Sequence, residues 1–404
     1  MRGRPFAGGA GYTAGPVTVY VANEAGNTVT PIRAASHTAG RPIKVGPAPA
    51  LIAISPDGQT AYVVGIGSLL PGAAAPVTLT AIATATNKPG RVVTVCAPGN
   101  LSGAIAIAPD RIAITPDSRT VYVSCSGTGW VVPVRAGADT AAQPIRVPSP
   151  GALAMAAGGR TMYVANSGGD TITPISTATG EPGPPIIVGP SPDAMAVAPD
   201  GRTLLVLTST GITPVDAATN RAGQPAAIRG ACALAVAPDG GTAYVLAMPD
   251  SGSQQGFVVP VPVPVHAGAA GQPIMVGLNP VQIVFTPDGK MAYVANYASE
   301  SVTPIRLPGG QAGPPIAAGR IPTRLAVSPD GTTVYVLDSN VFGGMGPEMQ
   351  FSTVARMLVR MLFSRLARKP LSWRGQVIPI RVATNSAGKP IKVGKLPIAM
   401  AIAP

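Results

Sequence analysis

The chain is poor in reactive side chains. Its 404 residues include two histidines, His37 and His266, and three cysteines, Cys96, Cys125 and Cys232. The histidines fall in turns of different repeat units, where they read as solvated turn residues. The cysteines form no CxxC pair, which excludes zinc-ribbon and thioredoxin-like frameworks. They read as small buried residues, although Cys96 and Cys125 end strands of successive units and leave one disulfide open. No HExxH, GxSxG or GxxxxGK[ST] run occurs, so the signatures of zinc proteases, α/β-hydrolases and P-loop NTPases are missing. A glycine-rich run near Gly9 precedes a strand, whereas a dinucleotide loop must follow one. Too few carboxylates follow Asp250 for a calcium loop.

Aromatic residues make up 4% of the chain and charged residues 11%. No uninterrupted apolar run reaches the ~20 residues of a membrane-spanning helix. Residues 1–16 hold arginines but no apolar run of signal-peptide length, and read as a flexible leader. With no export signal in view, the compartment stays open, the cytoplasm being the default. The net charge is +12. Residues 338–375 contribute Arg356, Arg360, Arg365, Arg368, Lys369 and Arg374 against Asp338 and Glu348. No basic stripe interleaved with aromatics appears, so nucleic acid is not an expected partner. No cofactor and no metal is expected, and the chain reads as a monomer.

What is abundant is glycine, 49 residues, and proline, 46. Most stand at fixed places in a repeat. The phrase YVANEAGNTVTPI at Tyr20 returns as YVANSGGDTITPI at Tyr163 and YVANYASESVTPI at Tyr293. Each is a β-branched run, a small polar turn and a second such run, the grammar of two antiparallel strands. A preceding apolar strand ends in Pro-Asp-Gly at Pro56, Pro199, Pro238, Pro287 and Pro329. A following strand reads Pro-Ile-x-Val-Gly at Pro42, Pro273 and Pro390. Four strands repeated about every 42 residues predict an all-β chain, a β-propeller of four-stranded antiparallel blades spanning residues 17–404. The count is eight blades, with seven as the alternative if blade five is decorative. The first-strand phrase missing at the N-terminus stands at residues 397–404, so the C-terminal strand is expected to complete blade one and close the ring.

Four expansions, near residues 65–76, 96–108, 248–256 and 338–375, fall between second and third strands or between blades. In an up-and-down blade these connections share one face, and long loops on a rigid scaffold carry recognition. Within the last, FSTVARMLVRMLFSRLAR at 351–368 has helical apolar spacing and predicts an amphipathic helix. It could cap the propeller, dock a partner or lie on an anionic membrane surface. Trp130, Tyr297, Arg356, Arg360 and Trp373 are the candidate partner or membrane contacts on this face.

Alternation along the first strands gives a channel wall that is mostly alanine. Arg111, Gln282 and Arg324 are its polar exceptions, near the insertion-side mouth, and are the candidate binders of a small anionic ligand.

The YVAN-x₄-TVTPI phrase, in register with Pro-Asp-Gly turns, resembles the YVTN family of β-propeller repeats. The resemblance implies a propeller fold and a binding role in surface-layer, periplasmic or secreted proteins. Related propellers include lactonases and the heavy chain of quinoprotein amine dehydrogenases. No position here matches their catalytic patterns. The leading expectation is therefore a non-enzymatic binding or scaffold propeller. The enzymatic alternative requires Glu24, Asp170, Glu300 and Asp338 to converge at the channel mouth.

Overall fold

In a computed structural model of the chain, the described residues are 17–66, 76–96, 112–126, 128–138, 140–248, 254–265, 268, 270–339 and 374–404. The leader, His266, Asp250, Arg111, Arg356, Arg360, Trp373 and the expected helix at 351–368 lie outside them. Eight antiparallel sheets form a ring of eight blades. The count of eight holds, and blade five is a full blade: Ala194–Val197, Thr203–Thr208 and Gly211–Asp216 pair in order. Its weak sequence signal comes from Leu205 at the position that Tyr20 and Tyr163 fill in blades one and four.

Ring closure is as expected. The C-terminal strand Pro397–Ala403 pairs antiparallel with Thr18–Asn23, Tyr20 opposite Ala401. Each innermost strand contacts the next around the circle, including Pro397–Ala403 with Pro49–Ile54 of blade two. Closure supplies blade one with its innermost strand, so Thr18–Asn23 is paired on both edges.

The core is a set of clusters between neighbouring blades. Second strands such as Thr161–Asn166 are buried on both faces, which is why they read as continuous apolar runs and not as alternation. Met162 and Val164 pack toward blade three, while Tyr163 and Ala165 pack toward blade five.

Close approach of blades depends on particular glycines. A β-carbon on Gly394 of blade eight would stand 2.4 Å from Asn23 Cγ of blade one, and one on Gly277 would stand 2.7 Å from Asn296 Cγ. Both glycines come from the Val-Gly that ends the Pro-Ile-x-Val-Gly phrase. The turn face closes in the same manner. Turn glycines sit against the turn residue of the preceding blade: Gly58 on Pro404, Gly159 on Pro116, Gly201 on Ala157, Gly240 on Pro199 and Gly331 on Pro287. Blade three has Ser118 instead, at φ 60°, and its Oγ accepts a hydrogen bond from Asp57 N at 3.1 Å.

Cys96 and Cys125 form a disulfide, with Cα atoms 6.1 Å apart. It joins the outer strand of blade two, Lys88–Cys96, to the second strand of blade three, Thr120–Cys125. Of the readings left open by the sequence, the disulfide is the one realised.

Candidate functional site

The two faces of the ring are built differently. One is the collar of tight turns just described. The other receives every expansion, because each leaves from the end of a second or an outer strand and returns at the start of a third or an inner one.

The channel begins on this second face. The alanines that alternation assigns to its wall are small residues of the inner strands, several packed into the clusters between blades: Ala113, Ala152, Ala154 and Ala399 are buried, and Ala233, Ala235 and Ala326 are half-buried. One feature was not read from the sequence. The pairing register slips near the start of the inner strands, at Pro49/Leu51, Ala231/Ala233, Pro280/Gln282 and Pro322/Arg324. Each slip is a β-bulge, which bends the strand and re-aims the side chains beside it. The repeated proline at the strand start, with no N–H for a ladder, was the available signal.

Gln282 and Arg324 each stand directly after such a bulge, on adjacent blades seven and eight. Gln282 Oε1 accepts a hydrogen bond from Leu325 N at 2.7 Å, tying the two inner strands together. The Gln282 carboxamide nitrogen makes no hydrogen bond among the described residues. Arg324 is half-buried and its Nη1 donates to Thr323 O at 3.1 Å. The structure thus brings two of the three channel candidates together. Arg111 lies outside the described residues; the blade-three strand that follows it, Ile112–Ile114, is three blades from blade eight and four from blade seven around the ring.

The other described candidates are held by their own blades. The Arg146 guanidinium lies over the Trp130 ring, 5.0 Å from its centroid, and Trp130 packs against the core between blades two and three. Tyr297 is half-buried, and its N–H donates to Asn279 O at 2.9 Å. Trp130 is therefore a packed cation–π partner before it can be an exposed anchor.

The four carboxylates of the enzymatic alternative do not meet. They sit in blades one, four, seven and eight, and Asp170 of blade four is opposite Asp338 of blade eight in the ring. Asp338 and Glu24 are buried within their blades. Asp338 stands where other blades carry the asparagine of YVAN. Asn166 Nδ2 donates to Thr171 Oγ1 at 2.7 Å and Thr173 Oγ1 at 3.0 Å, clasping the second strand to the third. Asp338 instead accepts from Ile321 N at 2.9 Å and from Gln376 Nε2 at 3.0 Å. The carboxylate thereby clamps the root of the blade-eight expansion. Among the described residues no group of three or more His, Cys, Asp or Glu could hold a metal ion.

No protein-family model and no curated protein matches the sequence. Solved structures do match. The dihydro-heme d1 dehydrogenase NirN, in complex with DHE, aligns over 99% of this chain and 77% of its own, with a TM-score of 0.70 and 14% identity. Apo AztD from Citrobacter koseri aligns over 96% of this chain and 97% of its own, with a TM-score of 0.61 and 14% identity. The periplasmic gluconolactonase PpgL of Pseudomonas aeruginosa covers 74% of this chain and 94% of its own, at a TM-score of 0.51 and 19% identity. At these identities the likeness establishes the eight-bladed fold. Such folds host both enzymes and binders.

Proposed function

We propose that this protein is a ligand-binding propeller that holds a small anionic molecule at the expansion-side mouth of its channel. The observation that carries the reading is the pairing of Gln282 and Arg324 behind successive β-bulges, which sets an amide and a guanidinium on neighbouring inner strands. Two such donors suit a carboxylate or phosphate oxygen. Arg111, which alternation in the sequence assigns to the same position of blade three, is the third candidate for this site. Protein or membrane contact through the expansions, at Tyr297 and the segment holding Arg356, Arg360 and Trp373, would be a further use of this face. The register of the YVAN and Pro-Asp-Gly phrases supports reading the chain as a YVTN-type repeat. The Cys96–Cys125 disulfide supports an oxidising compartment.

A second reading is favoured by the gluconolactonase among the similar structures: hydrolysis of a sugar lactone at the same mouth. Calorimetric titration with gluconate and 6-phosphogluconate, beside a lactone hydrolysis assay, separates the two. Saturable anion binding that Arg324→Ala weakens, without turnover, is the expected result. Lactone turnover abolished by a point change on this face would replace the binding reading with the enzymatic one.

A further inference from the structure

A different surface is singled out by how the repeats diverge. At the outer edge of the turn face, a notch opens at the junction of blades one and two, 540 Å³ in volume, and another at that of blades eight and one, 530 Å³. The repeat supplies three positions around each notch. These are the last residue of the third strand, the residue before the outer Pro-Ile, and the exposed residue after it. In blade one they are Arg33, Arg41 and Lys44, and in blade eight Arg381, Lys389 and Lys392. All six are exposed, and no carboxylate lines either notch.

The same positions in blades four to six carry no cation. The strand ends are Ser176, Asp216 and Pro262, and the outward residues are Ile187, Ala227 and Met275. Six like charges on two adjacent blades repel one another, and a counter-charged partner relieves that repulsion. The cations continue as Lys88 and Arg91 in blade two, Arg135 and Arg146 in blade three and Arg306 in blade seven, so the charge forms an arc that is densest on blades eight and one and is missing from blades four to six.

We propose that this edge binds a linear acidic polysaccharide, with its acid groups seated along the two notches. The shape argues for a chain: the cations flank grooves on a convex rim, which a single polymer strand can follow and a planar membrane cannot enter. The lining argues for sugar. Thr18, Thr84, Asn87, Ser36 and Ser386 supply hydroxyl and amide groups, suited to hydroxylated units. No aromatic ring other than the His37 imidazole lines the notches, so successive bases of a nucleic acid would find no stacking platform. The site lies away from the channel mouth and stands or falls independently of it.

The test is equilibrium binding of oligogalacturonate to the full chain, to the Arg41→Ala/Lys389→Ala variant, and to an Arg221→Ala/Arg229→Ala control on blade five. A single-stranded oligonucleotide of equal charge and phosphatidylserine vesicles serve as competitors in kind. Expected are salt-dependent binding by the parent, a loss of about 10- to 30-fold in the first variant from two surface cations, and no change in the control. All four substituted side chains are exposed, and matching thermal melts would verify that the variants fold. Absence of binding, equal loss in the control, or equal or tighter binding of the oligonucleotide or vesicles would overturn the proposal.

Discussion

The Tyr335 hydroxyl of blade eight lies 3.3 Å from His37 Nδ1 of blade one, the two rings tilted at a centroid distance of 5.8 Å. Equivalent tyrosines reach an asparagine in the next blade: Tyr20 to Asn87, Tyr163 to Asn220 and Tyr293 to Asn385, each at 2.7 Å. All four partners have positive φ, between 49° and 55°. Where that left-handed position is glycine instead, at Gly137, Gly180 and Gly310, the facing Tyr62, Tyr122 and Tyr244 have no such partner. Histidine at position 37 thus takes the place of asparagine at the junction of blades eight and one, in an exposed turn as its sequence position suggested.

This pairing gives graded stabilities. Tyr163→Phe should cost about 0.5–1.5 kcal/mol, the net worth of one hydrogen bond. Tyr122→Phe, which faces Gly180, should cost nearly nothing. His37→Asn should hold or raise stability, whereas His37→Ala should lower it. Urea unfolding midpoints of the four variants check the order. Burial pushes the hydroxyls of Tyr20, Tyr293 and Tyr335 up to about 12, so alkaline titration should find these tyrosines ionising last.

Acid sensitivity should come from the turn collar. The hydroxyls of Thr115, Thr286 and Ser328 donate to Asp117, Asp288 and Asp330, and hold these carboxyls below their ordinary range. A carboxyl depressed in the folded state contributes stability that is present above its unfolded pKa and lost as pH falls through the folded one. Stability should therefore decline as pH drops below ~4. Thr286→Ala should return the Asp288 pKa toward its ordinary value, read by carboxyl NMR titration. An unchanged Asp288 pKa would remove the hydroxyl as the cause.

The disulfide should matter to stability. Closing a loop across a sequence separation of 29 residues corresponds to about 3–4 kcal/mol in the chain-entropy account. Cys125→Ser and reduction by dithiothreitol should lower the unfolding midpoint alike. A reductant effect that persists in Cys125→Ser would point elsewhere. Cys232 offers no alternative partner of comparable reactivity: burial pushes its thiol up to about 11, and its Sγ–H points to Leu246 O at 3.4 Å.

The legible parts of the fold were those written in repeated local chemistry. Pro-Asp-Gly, YVAN and Pro-Ile-x-Val-Gly give strand number, order and ring closure, because turn residues and β-branched runs act locally. The Tyr–Asn ladder was not legible, since its partners are 57 to 92 residues apart in sequence for Tyr163–Asn220 and Tyr293–Asn385. The bulge before Gln282 was missed because alternation assumes an unbroken register. Of the site, alternation singled out Gln282 and Arg324 as polar residues of adjacent inner strands. What Gln282 bonds to was not, because Leu325 N belongs to the next blade.

That bond makes the channel testable in a way that separates support from recognition. Gln282→Leu leaves Leu325 N without its side-chain acceptor and should cost about 1–3 kcal/mol, the penalty of an unsatisfied donor shielded from water. Gln282→Glu keeps an acceptor for Leu325 N, so it should retain most of the stability, but it places a carboxylate where an anion would sit. Arg324→Ala removes charge and leaves the Leu325 bond in place. If the mouth binds anions, Gln282→Glu and Arg324→Ala should both weaken gluconate or 6-phosphogluconate binding in calorimetric titration, while only Gln282→Leu lowers the thermal midpoint strongly. If instead binding follows stability across the three variants, Gln282 is a blade-to-blade strut and recognition does not use this mouth.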